Sequence, residues 1–404
     1  MSDFHQSGPV TALPRLVEGL TPALEDAIQR HAQLSPVSLV IPMLPGEMDR
    51  PALAGILDEL VSVRYLESIV VSLNGADAGD YARCREFFAR YPRRLEVLWS
   101  ESPRMRRFLA DLEKAGLDIG VPGKGRACWL AMGYLLAEGR VHYMAFQDAD
   151  VVNFRREMLA RLILPAVDPT VDFDFVKGYY ARVSDRLHGR ATRLLLGPLL
   201  AAFRRLIGEH PYVTYLSSFR YALSGEFAVK ADLAMRMRLA CDWGLEIVSL
   251  FEALRHRAPG RICQAELAER YDHKHQDLSA DDPERGLNRM ARDVIKHLLR
   301  TLSAAGVTLD DGLLRSLLAA YQREAEDAVA DSHAVAVLNG LSFDRHSEEQ
   351  TVHTFLNALR ASTVEFLADP LGAPLLPNWS RVWAGMPDAG PRLLAAVEGG
   401  ADGG

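Results

Sequence analysis

Cysteine is scarce in this chain, and what there is does not pair. Cys84, Cys128, Cys241 and Cys263 are the only four in 404 residues, and none forms a Cys-x-x-Cys spacing. That excludes a disulfide framework and a thiolate zinc site as organising features. Long apolar runs are missing too. No stretch of about 18 apolar residues occurs, so no membrane span is expected. A basic leader followed by an apolar segment is not seen at the start, which makes cytoplasmic the expected location. Positive charge is in deficit, 46 Lys and Arg against 53 Asp and Glu, with a net charge of −7. Nucleic acid is therefore not an expected partner. The Gly-x-x-x-x-Gly-Lys-Ser/Thr phosphate loop is also absent. What remains is an ordinary globular composition, 49% hydrophobic and 25% charged, in a chain long enough for two or three domains.

The order of elements points to an α/β fold. Apolar runs at 37–41, 66–73 and 95–99 predict strands, and helical spacings at 51–61 and 80–91 separate them. Such alternation is the signature of βαβ units and a mostly parallel sheet flanked by helices. A helix at 124–138 precedes a strand at 143–146. Further on come a helix at 153–164, a strand at 173–180 and an apolar helix at 192–207. A strand at 220–229 is interrupted by Ser224-Gly225, a helix at 243–256 opens on Asp242, and a last strand covers 262–267. From about residue 284 only helical patterns occur, at 287–302, 313–329 and 350–367. The expected division is an N-terminal helical segment at 1–35, an α/β domain at 36–283, a C-terminal helical appendage at 284–396 and a disordered Gly-rich tail at 397–404.

Chemistry gathers at a few places. The strand at 143–146 runs into Asp148-Ala149-Asp150. Two carboxylates at the carboxyl end of a parallel strand face the crevice where open α/β sheets bind ligands. They suit a hard divalent cation shared with phosphate oxygens, although Asp is equally a turn residue. Pro122-Gly123-Lys124-Gly125 precedes a helix, so a lysine and a positive helix end could meet a phosphate; a plain loop-to-helix turn is the other reading. Ser224-Gly225-Glu226 sets a carboxylate where a core residue is expected. Asp242 and Glu246 lie four apart on one helix face, fit either to orient substrate hydroxyls or to serve as an N-cap and a first-turn acid. Gly189-Arg190-Ala191-Thr192 opens an apolar helix and offers a guanidinium fork to an anion. Tyr271-Asp-His273-Lys-His275 follows the last strand and supplies imidazoles, which are common metal ligands.

In that order, Val-Ile-Pro, Pro-Gly-Lys-Gly, Asp-Ala-Asp, Gly-Arg-x-Thr, Ser-Gly-Glu, Trp-Gly-x-Glu and Asp-His-Lys-His resemble the retaining GT-A glycosyltransferases that make glucosyl- or mannosyl-3-phosphoglycerate. The resemblance spans roughly residues 37–300. It implies a GT-A, Rossmann-like sheet whose 36–283 region binds nucleotide sugar and acceptor and carries the catalysis. Pro42, Met43 and Leu44 would border the base, Glu47 would be the acid of that loop, and Ser72 would sit near the nucleoside. Lys124 would bind the phosphates, Asp148 would lie by the ribose with Ala149, and Asp150 with His273 would hold Mg²⁺ or Mn²⁺. Glu246 would hold hydroxyls of the transferred sugar, with Glu226 also on the donor side. Gly189, Arg190, Thr192 and His275 would face the acceptor. The chain departs from the family at Pro42-Met-Leu-Pro-Gly-Glu47, at Val71-Ser-Leu-Asn74 and at His275, where the family tends to have Asn.

The expected function is metal-dependent transfer, with retention, of glucose or mannose from UDP-glucose or GDP-mannose. The acceptor is a small anion, 3-phosphoglycerate first and glycerate second, as in the synthesis of glucosylglycerate-type compatible solutes. Retention rests on the resemblance alone. A nucleotidyltransferase of similar fold and a non-catalytic nucleotide-sugar-binding protein are the alternatives, and a homodimer is left open.

Overall fold

The computed structural model describes residues 6, 8–271, 282 and 285–398. Among them, eight strands form one sheet: β1 (Thr11–Leu13), β2 (Val37–Met43), β3 (Leu66–Leu73), β4 (Leu95–Trp99), β5 (Tyr143–Phe146), β6 (Phe175–Tyr180), β7 (Phe227–Lys230) and β8 (Ile262–Ala268). Their order is β1-β8-β6-β7-β5-β2-β3-β4. β7 runs antiparallel to both of its neighbours, and every other pairing is parallel.

Both faces of the sheet are covered, so the strands read as near-continuous apolar runs. Val40, Val70, Leu98, Met144, Phe146 and Phe227 point into one core. Leu39, Ile41, Ile69, Val71, Ala145 and Ala228 point into the other. The chain leaves β2 toward β3 and β4, then crosses back to place β5 on the other side of β2. The reversal opens a crevice beyond the carboxyl ends of β2 and β5, where ligands of open α/β sheets settle. The start of antiparallel β7 lies at the same edge, because Phe227 pairs with Phe146.

The helices that follow residue 285 do not form a core of their own. Leu298, Tyr321, Phe355, Trp379 and Leu393 belong to the same buried cluster as the helix Lys124–Glu138. Trp129 stacks on Trp379 with ring centroids 4.5 Å apart. Each indole donates across the pair, Trp129 Nε1 to the Pro377 carbonyl at 2.7 Å and Trp379 Nε1 to the Trp129 carbonyl at 3.0 Å. Gly133 makes room for this contact, since a Cβ there would fall 1.9 Å from the Trp379 ring.

The structure differs from the sequence expectations in several elements. The 1–35 segment is not only helical, because Thr11–Leu13 adds an edge strand parallel to β8. The strand expected at 220–229 shrinks to Phe227–Lys230, and Ser224-Gly225-Glu226 forms a corner before it. The apolar helix expected from residue 192 begins as a π-helical turn, Ala191–Leu196, before the α-helix Gly197–Ile207. Helices at Pro211–Ser217, Trp379–Gly385 and Ala389–Glu398 escaped the periodicity, being ten residues or fewer. Val397 and Glu398 close the last helix instead of starting a tail, and residues 399–404 lie outside the described residues.

Candidate active site

At the mouth of the crevice, residues far apart in sequence meet. Asp148 comes two residues after the end of β5, and Lys124 is the first residue of its helix. Lys124 Nζ lies 2.7 Å from Asp148 Oδ1 and 3.4 Å from Glu246 Oε1. Glu246 is in the first turn of the helix Leu245–His256, where the helix dipole favours a carboxylate. Burial works against the ammonium, but the charges of Asp148 and then Glu246 outweigh it and hold the Lys124 pKa well above its ordinary value. The lysine is a fixed cation on one wall of the crevice.

The two glycines beside it do a different job from the one their spacing suggests. A Cβ on Gly123 would fall 2.3 Å from the Cys241 carbonyl oxygen, and one on Gly125 would fall 1.8 Å from that of Ala240. They let the helix start press against the 240–241 backbone, which fixes the distance from Lys124 to Glu246.

Below this wall lies a buried polar floor. Glu226 is fully buried. Its Oε1 accepts from Gln147 Nε2 at 3.2 Å and from the Tyr271 hydroxyl, and its Oε2 accepts from the Tyr180 hydroxyl at 2.8 Å. Burial, then the charge of Asp148, raises its pKa despite those bonds. Gly225 lets the corner approach Asp148, since a Cβ there would be 2.2 Å from Asp148 Oδ2. Lys177, in the middle of β6, is also fully buried and donates to the Ser224 carbonyl at 2.7 Å. Burial pushes its pKa down to about 8, against the pull of Glu246 and Glu226. Ser224 Oγ donates to the Gly178 carbonyl at 2.6 Å, and Gly178 N to the Glu226 carbonyl at 2.9 Å, so the whole corner is pinned to β6. Sequence reasoning missed Lys177, Tyr180 and Gln147. A lysine inside an otherwise apolar strand was the available signal.

The remaining candidates divide. Pro42 and Met43 end β2, and exposed Leu44 faces the next loop across Gly75, where a Cβ would be 3.5 Å from Leu44 Cδ2. Glu47 lies in the turn after β2, 3.6 Å from Arg50 Nε. Ala149 is buried between the two aspartates. Ser72 is turned away from the crevice: it is fully buried and donates to the Ala127 carbonyl at 3.0 Å, bonding β3 to the Lys124–Glu138 helix, which removes it from the nucleoside contacts. Asp242 is not the N-cap of its helix, a place taken by Gly244. Asp242 accepts from Gly244 N at 2.9 Å and meets His297 Nε2 at 2.9 Å. His297 lowers the Asp242 pKa against the effect of burial.

Gly189 has φ +70° and lies beside Tyr221 and Arg182. Arg182 donates to the Tyr221 hydroxyl at 3.2 Å and feels the charge of Asp150. The Gly189–Thr192 turn thus lies beside an arginine that the charge of Asp150 influences. Two N–H groups at this helix start are already used, since Thr192 N and Arg193 N both donate to the Gly189 carbonyl at 3.0 Å. Among the described residues the buried Thr192 hydroxyl has no hydrogen-bond partner. The Arg190 side chain is only partly exposed and reaches Ser347 and Glu348. His273 and His275 lie outside the described residues.

A divalent cation is compatible with what remains. Among the described residues no cluster of three His, Cys, Asp or Glu side chains forms a ready cage. Asp148 and Asp150 present carboxylate oxygens on one short loop, a donor set that is completed by substrate phosphates in Mg²⁺-type sites. No helix among the described residues is long and apolar enough to cross a membrane.

Comparisons with known proteins bear on this site. No protein-family model matches the chain. It is 39% identical over 398 residues to a glucosyl-3-phosphoglycerate synthase of Persephonella marina, covering 98% of each chain. It is 34% identical over 366 residues to a glucosyl-3-phosphoglycerate synthase of Methanococcoides burtonii, covering 89% of each. In fold it resembles the glucosyl-3-phosphoglycerate synthase of Mycobacterium tuberculosis crystallised with Mn²⁺, UDP-glucose and phosphoglyceric acid. That likeness has a TM-score of 0.54 at 23% identity and covers 75% of this chain and 90% of the other.

Proposed function

Because the chain belongs to the glucosyl-3-phosphoglycerate synthase family of GT-A glycosyltransferases, we propose that it transfers glucose from UDP-glucose to 3-phosphoglycerate with a divalent cation at Asp150. Glucose is preferred to mannose and 3-phosphoglycerate to glycerate on the names of those relatives. The observation that carries the reading is Lys124 standing between Asp148 and Glu246 at the sheet's reversal point.

The roles follow from the chemistry of each group. Lys124 and the helix end behind it face the diphosphate, whose charge grows as the bond from the anomeric carbon to the β-phosphate oxygen breaks. Asp150, with His273 as the further ligand, would hold the cation, which when bound would supply Lewis-acid stabilisation of the leaving diphosphate. Asp148 lies by the ribose, and Glu246 accepts hydroxyls of the sugar. Pro42, Met43 and Leu44 border the base. The buried Glu226, Lys177 and Tyr180 keep the floor in place and water out of it. Arg190 offers its guanidinium to the acceptor's carboxylate or phosphate, and the new bond forms from the acceptor hydroxyl to the anomeric carbon as UDP leaves, the hydroxyl proton passing to the departing diphosphate.

The test is an activity matrix of UDP-glucose and GDP-mannose against 3-phosphoglycerate, glycerate and glycerol, with and without Mg²⁺ or Mn²⁺. The expected result is metal-dependent UDP release that is highest with UDP-glucose and 3-phosphoglycerate. Pyrophosphate as the product would replace this reading with nucleotidyl transfer. Faster turnover of glycerol than of either anion would overturn the acceptor half alone.

A further inference from the structure

Arg190 is held from behind by a helix of the C-terminal region. Its Nε donates to Glu348 Oε1 and its Nη2 to Ser347 Oγ, both at 2.9 Å. The second oxygen of that carboxylate, Glu348 Oε2, accepts from Arg193 Nη2 at 2.8 Å. Arg193 is then fully committed, with Nε on the His188 carbonyl at 2.9 Å and Nη1 on Ser332 Oγ at 2.7 Å. Glu348 lies in the first turn of the helix Arg345–Ala368 and its side chain is only 6% exposed.

A guanidinium presents two edges to oxygen pairs. Nε and one N–H of Nη2 form the side edge, and Nη1 with the other N–H of Nη2 forms the end edge. Glu348 and Ser347 occupy the side edge of Arg190. Among the described residues nothing takes Nη1, so the end edge is open. The charges also leave a remainder. Two arginines and one carboxylate sum to one positive charge, enough for one anionic group of a ligand. The carboxylate is buried between two cations and keeps Arg190 in one rotamer, so less side-chain freedom is lost when a ligand binds.

We propose that Glu348 is a positioning residue for the acceptor: it clamps the side edge of Arg190 and thereby holds the end edge ready for the acceptor's carboxylate or phosphate. This inference rests on the assignment of Arg190 to the acceptor. It gives the C-terminal helices a part in acceptor recognition that the sheet alone does not supply.

The test is steady-state kinetics with varied 3-phosphoglycerate at saturating UDP-glucose, beside calorimetric UDP affinity in Mn²⁺. Glu348→Gln leaves one acceptor oxygen and no charge. It is expected to raise the acceptor KM by roughly tenfold or more, to lower kcat by less, and to leave UDP affinity unchanged. Glu348→Asp should recover part of the loss. Arg190→Ala should raise the same KM at least as much, and adding Glu348→Gln to it should cost nothing further, because both changes remove one contact. If Glu348→Gln does not fold, Ser347→Ala is read instead; it removes only the bond to Nη2, and a KM rise of about threefold is expected. An unchanged KM in whichever of the two is read, with a raised KM in Arg190→Ala, overturns the clamp and spares the acceptor assignment. An unchanged KM in Arg190→Ala removes the assignment itself. Equal loss of UDP affinity and acceptor affinity in Glu348→Gln would make Glu348 a general structural residue and overturn the proposal.

Discussion

Replacing Lys124 by alanine separates a phosphate-binding lysine from a structural one. Two contacts disappear, the 2.7 Å pair with Asp148 and the 3.4 Å pair with Glu246. At an effective dielectric of about 20, unit charges at the shorter distance attract by about 6 kcal/mol before desolvation is subtracted. Removing one partner of a buried pair costs about 3–5 kcal/mol. The Lys124 and Asp148 side chains are 26% and 27% exposed, so roughly 1–3 kcal/mol of stability is the expected net loss. Binding gives the second magnitude. A charge-assisted hydrogen bond to a phosphate oxygen is worth about 1.5–3 kcal/mol, so UDP affinity should fall roughly 10- to 100-fold. Glu226 should respond too, because Lys124 is one of the charges that restrain its raised pKa. The assay is calorimetry of UDP in the presence of Mn²⁺, paired with thermal unfolding of the same preparation. A lowered Tm with an unchanged UDP Kd would refute the reasoning. Lys124 would then be a clamp between two carboxylates, and Pro122-Gly-Lys-Gly125 a packing device for the 240–241 backbone.

Three further outcomes are expected. Asp150→Ala should abolish turnover and chelator should do so reversibly, so full activity in excess chelator would remove the metal from the scheme. Gly225→Ala should cut kcat by roughly tenfold or more with little change in fold, because the new methyl must displace the Asp148 carboxylate, which a Cβ would approach to 2.2 Å; wild-type rates in this variant would show that Asp148 moves freely. Asp293 has a carboxyl pKa raised to about 6, first by burial and then by the charge of Asp242. A raised carboxyl favours the folded state below the unfolded pKa near 3.8, and that contribution is lost as pH rises through about 6. Asp293→Asn should therefore stabilise the protein by about 1–3 kcal/mol at pH 7.5 and by little at pH 4, measured by denaturant unfolding; a benefit equal at both pH values would contradict the assignment.

The strands and the crevice were legible because their signals are local. β2, β3 and β5 are buried on both faces and the edge strand β4 at Val97 and Leu98, so each reads as a short apolar block. Asp148, Lys124 and Glu246 could be named because the residue types and their places before or after such blocks limit what they can do. What could not be read depends on partners distant in sequence. Ser72 carries the same hydroxyl whether it faces a nucleoside or the Ala127 carbonyl 55 residues away. Arg190 looks like a free fork until Glu348 arrives from 158 residues further on. The corner at Ser224-Gly225-Glu226 resembled a bulged strand because its neighbours are apolar. Its backbone carbonyls at Ser224 and Glu226 instead accept from Lys177 and Gly178 N, which no period-two pattern records.

The reciprocal indole contacts of Trp129 and Trp379 have a consequence for how the chain is made. The two residues are 250 positions apart. At about 5–20 residues per second of synthesis, Trp129 waits roughly 12–50 s on the ribosome for the ring that covers it. From the completion of β8 at residue 268 until that ring arrives, the sheet and the Lys124–Glu138 helix are present with one apolar wall bare. A nascent chain halted before residue 379 should accordingly bind chaperones that shield exposed apolar surface, and should release them only when the last two helices emerge.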